Sequence, residues 1–242
     1  DIDEPNEVVQ IDLASPVFAT LGVTNEFAYT ITDNDTAGIA ASTDALSLTE
    51  GGSAQTMTLV LDAAPTSTVS VAFSTSTNGI TISPVSLSFT SVNWATPQTI
   101  TISGTDDSVY ESSHATTVQM TVAGGVYGYP SITPPTITAT ITDNETSNIM
   151  VSASNASTDE GDAVSITYTL ASQPTSTVTL LFTIGSGITA STSSVIFTTS
   201  DWSTPQSVTY TATENQVYTG NRSATVSTAV QSDTAFAGVS IP

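Results

Sequence analysis

Short alternating segments rich in Thr, Val and Ile follow one another along the chain, each bounded by residues that favour turns. Between residues 36 and 146 they are Leu46–Thr49, Thr56–Leu61, Val69–Phe73, Ile80–Ile82, Leu87–Phe89, Ile100–Ile102, Val118–Val122 and Ile137–Ile141. Glu50-Gly51-Gly52 and Asn78-Gly79 supply turn signals between them. No segment carries the period of a helix. Seven or eight short strands, spaced by about 8–12 residues, predict an all-β antiparallel β-sandwich of the immunoglobulin-like kind.

The pattern is duplicated. Ala64-Pro65-Thr66-Ser67-Thr68-Val69 returns as Gln173-Pro174-Thr175-Ser176-Thr177-Val178, and Asn93-Trp94-Ala95-Thr96-Pro97-Gln98 as Asp201-Trp202-Ser203-Thr204-Pro205-Gln206. Ile31-Thr32-Asp33-Asn34-Asp35 returns as Ile141-Thr142-Asp143-Asn144-Glu145, so the offset stays between 108 and 110. A period of this length in a β-rich chain means tandem sandwiches of about 110 residues each. Three segments result: 1–35, the C-terminal part of a sandwich; 36–146, a complete one; and 147–242, one lacking its last strand. Val8–Leu13 and Phe27–Ile31 in the first segment are too little to stand alone. Residues 27–35 have the sequence of a closing strand and could complete the third segment of a neighbouring copy; continuation of the same polypeptide is the simpler expectation.

Charge narrows the choice of function. The formal net charge of -21 arises from 22 acids against one base, Arg222. That balance excludes nucleic-acid and anionic-membrane binding, which need Lys and Arg to neutralise phosphate. Charged residues are nonetheless only 10% of the chain, against about 25% in an average protein. The surface is expected to be covered by hydroxyls, from 47 Thr and 35 Ser. With no Cys and no Lys, disulfides, thiolate metal sites, phosphate loops and Schiff bases are all excluded. No apolar run approaches the ~20 residues of a membrane span.

Taken together, the Glu50-Gly51-Gly52 turn with its counterpart Asp159-Glu160-Gly161-Asp162, the Phe…Asn/Asp-Trp-x-x-Pro-Gln run, the Asp106-Asp107…Glu111 loop and the closing Asp-Asn-Asp/Glu resemble tandem Calx-beta-like repeats of large bacterial surface and adhesin proteins. The resemblance extends over essentially the whole chain. It implies a seven-stranded sandwich with calcium at one end of each domain, and a role as a stalk. Carried over position by position, the ligands it implies are Glu50, Asp106, Asp107, Glu111, Asp143 and Glu145, with Asn144 adding a carbonyl. The same resemblance puts Asp1, Asp3, Glu4, Asp33 and Asp35 in the first segment and Glu160 in the third among the metal candidates. An acid in the middle loop has no match near Thr77-Asn78-Gly79, and Glu214-Asn215 replaces the Asp-Asp pair, so the third segment's site is expected to be weak or absent.

The residues themselves allow the same idea. Glu50, the 106–111 loop and the 143–145 exit are separated in sequence but can meet at one pole of a sandwich, and calcium takes about 6–8 oxygens. Solvated turn aspartates are the alternative. Trp94 and Trp202, at the same repeat position, are expected to anchor the core rather than stack on a sugar. His114 is the only candidate general base and lies in a polar stretch, so no enzyme is expected. Of the four glycosylation sequons, at Asn34, Asn144, Asn155 and Asn221, the first two fall inside the acidic clusters.

The expected function is that of a structural repeat segment of an extracellular or cell-surface stalk, filament or sheath with calcium-stiffened junctions. Its expected partners are neighbouring repeats or copies of the same protein. The alternative is an adhesion module that holds a glycan or cell-surface protein with loops at the sandwich ends.

Overall fold

The computed structural model describes residues 2, 4–14, 16–24, 26–77, 79–217, 220–231, 234–239 and 241. Contacts divide the chain into two units, residues 1–105 with 114–142, and residues 106–113 with 143–242.

The first unit opens with an antiparallel hairpin of β1 (Glu7–Asp12) and β2 (Glu26–Ile31). Its sandwich is built from β3 (Ile39–Ala41), β4 (Ala45–Thr49), β5 (Gln55–Leu61), β6 (Val69–Thr75), β7 (Ile80–Ser83), β8 (Ser86–Phe89), β9 (Gln98–Gly104), β10 (His114–Gly124) and β11 (Ile137–Thr142). One sheet has the order β4-β11-β10-β6-β8 and the other β3-β5-β9-β7. Pairing is antiparallel except between β4 and β11, which run parallel. The alternation read in the sequence reappears as burial. Met57, Leu59 and Leu61 of β5, Val69, Val71 and Phe73 of β6, Ile100 and Ile102 of β9, and Ile137, Ala139 and Ile141 of β11 join one core. The residues between them stay half-buried or exposed. Full burial of one such aliphatic side chain contributes about 1.5–3 kcal/mol. Strand β3 was not expected, because three residues are too few to display an alternation.

The second unit repeats this plan with β12 (Ile149–Val151), β13 (Ala163–Leu170), β14 (Val178–Ile184), β15 (Ile188–Ala190), β16 (Ser194–Phe197), β17 (Gln206–Ala212) and β18 (Val226–Gln231). Its sheets have the orders β12-β13-β17-β15 and β16-β14-β18, matching β3-β5-β9-β7 and β8-β6-β10. No strand among its described residues answers to β4 or β11. The core is more aromatic: the Tyr168 and Tyr210 hydroxyls share a hydrogen bond of 3.0 Å, and Phe182 packs against both rings at centroid distances of 5.0 and 6.5 Å. Burial, reinforced by that bond, pushes the Tyr210 hydroxyl well above the ordinary value of 10.0.

The recurring sequence words are recurring turns. Asn93 Oδ1 accepts the Thr90 N–H at 2.6 Å, Asp201 Oδ1 accepts that of Thr198 at 2.5 Å, and Leu61 and Leu170 each donate a backbone bond of 3.1 Å to the carbonyl of Trp94 or Trp202. Both tryptophans pack, partly buried, against their cores, as expected of anchors. No helix among the described residues is long and apolar enough to cross a membrane.

Candidate metal centre

The acidic pole of the first sandwich follows from one parallel pairing. Because β4 and β11 run in the same direction, both leave the sheet at the same end. Glu50 is the residue after β4, and its N–H donates to the Thr142 carbonyl, at the end of β11, at 3.0 Å. Asp143, Asn144 and Glu145 come next in the chain.

Local geometry fixes Glu50. The Gly52 N–H closes a turn onto the Thr49 carbonyl at 3.0 Å, and Gly51 at the bend has φ 58°, a region L side chains avoid. Gly104 backs the turn so closely that a Cβ there would lie 2.7 Å from the Thr49 oxygen. The Glu-Gly-Gly word is therefore the backbone chemistry of a tight turn against a neighbouring strand.

Carboxylate oxygens of Glu50, Asp143 and Glu145 all lie within 4.8 Å of one another. Glu50 is buried, at 4% exposure, and the other two are half-buried. The Oε2 atoms of Glu50 and Glu145 are out of contact with solvent and accept no hydrogen bond, although both residues take part in other interactions. Burial alone would raise the Asp143 carboxyl. Hydrogen bonds from the Glu145 side chain and N–H, and from the N–H groups of Glu111 and Asn144, outweigh it and hold the group below its ordinary 3.8. Asp143 organises the exit loop: Oδ2 accepts the Glu111 N–H at 2.7 Å and Oδ1 the Glu145 N–H at 3.1 Å.

The remaining candidates have other partners. Asp106 Oδ1 accepts the Asn144 side-chain amide at 2.9 Å, and Asp107 Oδ1 is turned onto the Val109 N–H at 2.6 Å. Neither they nor Glu111 belong to the cluster of three. In the first segment the same exit loop is repeated: Asp33 Oδ2 accepts the Glu4 N–H at 3.1 Å and Oδ1 the Asp35 N–H at 3.3 Å. Asp1 and Asp3 lie outside the described residues. Glu160, the counterpart of Glu50, accepts from the Arg222 guanidinium and from the Asn215 amide. The Glu160–Arg222 contact joins positions 62 apart and has no signature in local sequence.

The donor set fits a hard divalent cation. All three groups are carboxylates, with neither sulfur nor imidazole among them, and oxygen-only sites suit calcium, magnesium or manganese. Three acids packed this closely repel one another unless protons or a cation intervene. No lysine exists to supply that charge, and the single arginine is bonded to Glu160.

No protein-family model matches the chain, and no curated protein does. Among solved structures, the calcium binding domain CBD12 of CALX1.1 aligns over 73% of this chain and 76% of its own, with 14% identity and a TM-score of 0.35. CBD12 from CALX1.2 aligns over 80% and 79%, at 11% and 0.34, and the YadV chaperone over 81% and 94%, at 10% and 0.31. None of these likenesses reaches a TM-score of 0.5, so none carries an argument; the all-β, immunoglobulin-like sandwich type rests on the chain's own strand orders and cores.

Proposed function

We propose that the chain is a non-enzymatic, calcium-binding repeat segment of an extracellular stalk, filament or sheath, with the ion stiffening the point where one repeat hands over to the next. The convergence of Glu50, Asp143 and Glu145 within 4.8 Å carries this reading. Calcium accepts mono- and bidentate carboxylates in irregular geometry and can complete its shell with backbone carbonyls and water. An ion there would pin the exit of β11 to the turn after β4, leaving Asp106 and Asp143 to brace the loop through Asn144 and Glu111. The duplication supports a structural role, as do the hydroxyl-rich, Lys-free composition and the concentration of acids at strand exits.

The test is a thermal melt of the whole chain in excess calcium and in chelator. An ion that binds only the folded site adds about 2.7 kcal/mol when present at a hundred times its Kd. We expect calcium to raise the melting transition of the wild type and of Glu160→Gln, and to leave Glu50→Gln unmoved. Superimposable wild-type curves with and without calcium would refute the reading.

A further inference from the structure

We propose that the first sandwich receives an extended segment of another protein as an added strand, along the part of β10 that β11 leaves bare. Strand β10 runs from His114 to Gly124, but its two neighbours cover different stretches of it. Strand β11 pairs with His114–Val118, and β6 with Val118–Gly124. From Gln119 onward β10 therefore has a strand on one side only. Residues of an antiparallel strand turn their N–H and C=O groups alternately to the two sides, so this stretch offers main-chain donors and acceptors to whatever lies on its open side.

What lies there is a groove rather than a strand. Continued one for one past the Val118↔Ile137 pair, the register would set Thr136, Pro135 and Pro134 against Gln119, Met120 and Thr121. Both prolines lack an N–H, so the run-in to β11 cannot extend the ladder, and it belongs to no strand. The two segments instead wall a groove of about 310 Å³, lined by Gln119, Met120, Thr121, Pro134, Pro135 and Thr136 among others.

The lining defines the occupant. Gln119, Thr121 and Ala123 are exposed, while Met120 and Val122 are half-buried and pack, like Ile132, against the core. A strand added beside them needs aliphatic residues at the alternate positions that face Met120 and Val122, and no proline. Residues Gln119–Ala123 match about 17 Å of extended chain. No acid or base lies between Ser112 and Thr142 apart from His114, so the slot itself has no ionic anchor. The net charge of -21 selects at longer range: it disfavours acidic segments and a second copy of this chain, and favours a segment flanked by Lys or Arg. Main-chain bonds then supply affinity and the alternate side chains specificity, as in other strand additions.

The slot shares no residue with the acidic cluster, so it is tested in chelator and its failure is distinct from failure of the calcium reading. The probe is the peptide acetyl-Lys-Thr-Val-Thr-Val-Thr-Lys-amide, titrated into the full-length chain and followed by backbone amide NMR. It should perturb Gln119–Gly124 saturably. The same peptide N-methylated at every valine and threonine keeps its side chains but loses those main-chain donors, and should bind about tenfold more weakly or not at all. Pro134→Thr with Pro135→Val restores the missing donors and lets β11 extend over the slot. Peptide binding should then weaken about tenfold or more while circular dichroism stays that of a folded β protein. If that variant misfolds, the methylated peptide tests the same pairing on the wild type. No saturable response at Gln119–Gly124, equal binding of the methylated peptide, a response confined to other sheet edges, or self-association through β10 without peptide would overturn the proposal.

Discussion

The two sandwiches share strands, turns and tryptophan anchors, yet they close their poles by opposite means. In the first, Glu50 is buried beside Asp143 and Glu145, a set that could hold a cation from solution. In the second, its counterpart Glu160 sits at 37% side-chain exposure with Arg222 against it, a cation supplied by the chain. The difference accompanies the parallel pair of β4 and β11. Glu50 is held at the exit of β4 by a backbone bond to β11, and among the described residues of the second sandwich neither strand has a counterpart. Among the described residues, the buried acidic cluster lies beside the parallel pair of the first sandwich, and the exposed ion pair lies in the second, where no such pair is seen.

The strongest way to sharpen the comparison lies at an inner position where the sandwiches also differ. Tyr129 follows β10 as Phe236 follows β18, and both are buried, at 1% and 0% exposure. Only the tyrosine hydroxyl donates a hydrogen bond, to the carbonyl of the buried Ala63. Tyr129→Phe leaves that carbonyl without its partner and should cost about 1–3 kcal/mol. Denaturant melts should show the first sandwich weakened and the second unmoved. A neutral Tyr129→Phe would mean that the two positions are equivalent after all.

Much of the fold was legible because Thr, Val and Ile in alternation leave few alternatives to a strand, and because each repeated word is a turn with one dominant solution. Glu50-Gly51-Gly52 needs a positive φ at Gly51, and Asn93 and Asp201 each cap a backbone N–H with one oxygen. Short edge strands such as β3 escaped, having no room for a period. The metal candidates were legible as a list of acids but not as a geometry. Spacing along the chain does not say where a carboxylate turns: Asp107 bends back onto its own loop, whereas Asp143 and Glu145 reach Glu50. Nor did the sequence show that Glu160 would be met by Arg222, since that contact depends on how the segment before β18 runs.

A smaller effect is expected from breaking that ion pair. Arg222 and Glu160 are 42% and 37% exposed, and solvent-exposed pairs contribute about 0–1 kcal/mol before screening. Arg222→Ala should lower the stability of the second sandwich by less than about 1 kcal/mol, with the difference vanishing in molar salt. It should leave the calcium response of the first unchanged. A loss of several kcal/mol, or one insensitive to salt, would mean that Arg222 does more than neutralise Glu160.

The smallest predicted effect separates the two tryptophan turns by pH. Asp201 does with a charge what Asn93 does without one: the Thr198 N–H and then the Thr198 hydroxyl donate to its carboxylate and hold it below the ordinary 3.8. A carboxyl depressed in the folded state is deprotonated more readily there than in the unfolded chain. Its contribution to stability is therefore complete above the unfolded value of about 3.8 and fades as pH falls through the lower folded value. Asn93 accepts the equivalent bonds from Thr90 at 2.6 and 3.0 Å and has no proton to gain. Asp201→Asn should therefore flatten part of the acid-side loss of the second sandwich, and Asn93→Asp should introduce a loss of the same sign into the first. Carbon-detected titration of the Asp201 carboxyl supplies the direct check. A midpoint at or above 3.8 would show that the Thr198 bonds do not favour the ionised form, and the two turns would then be interchangeable in charge as well as in shape.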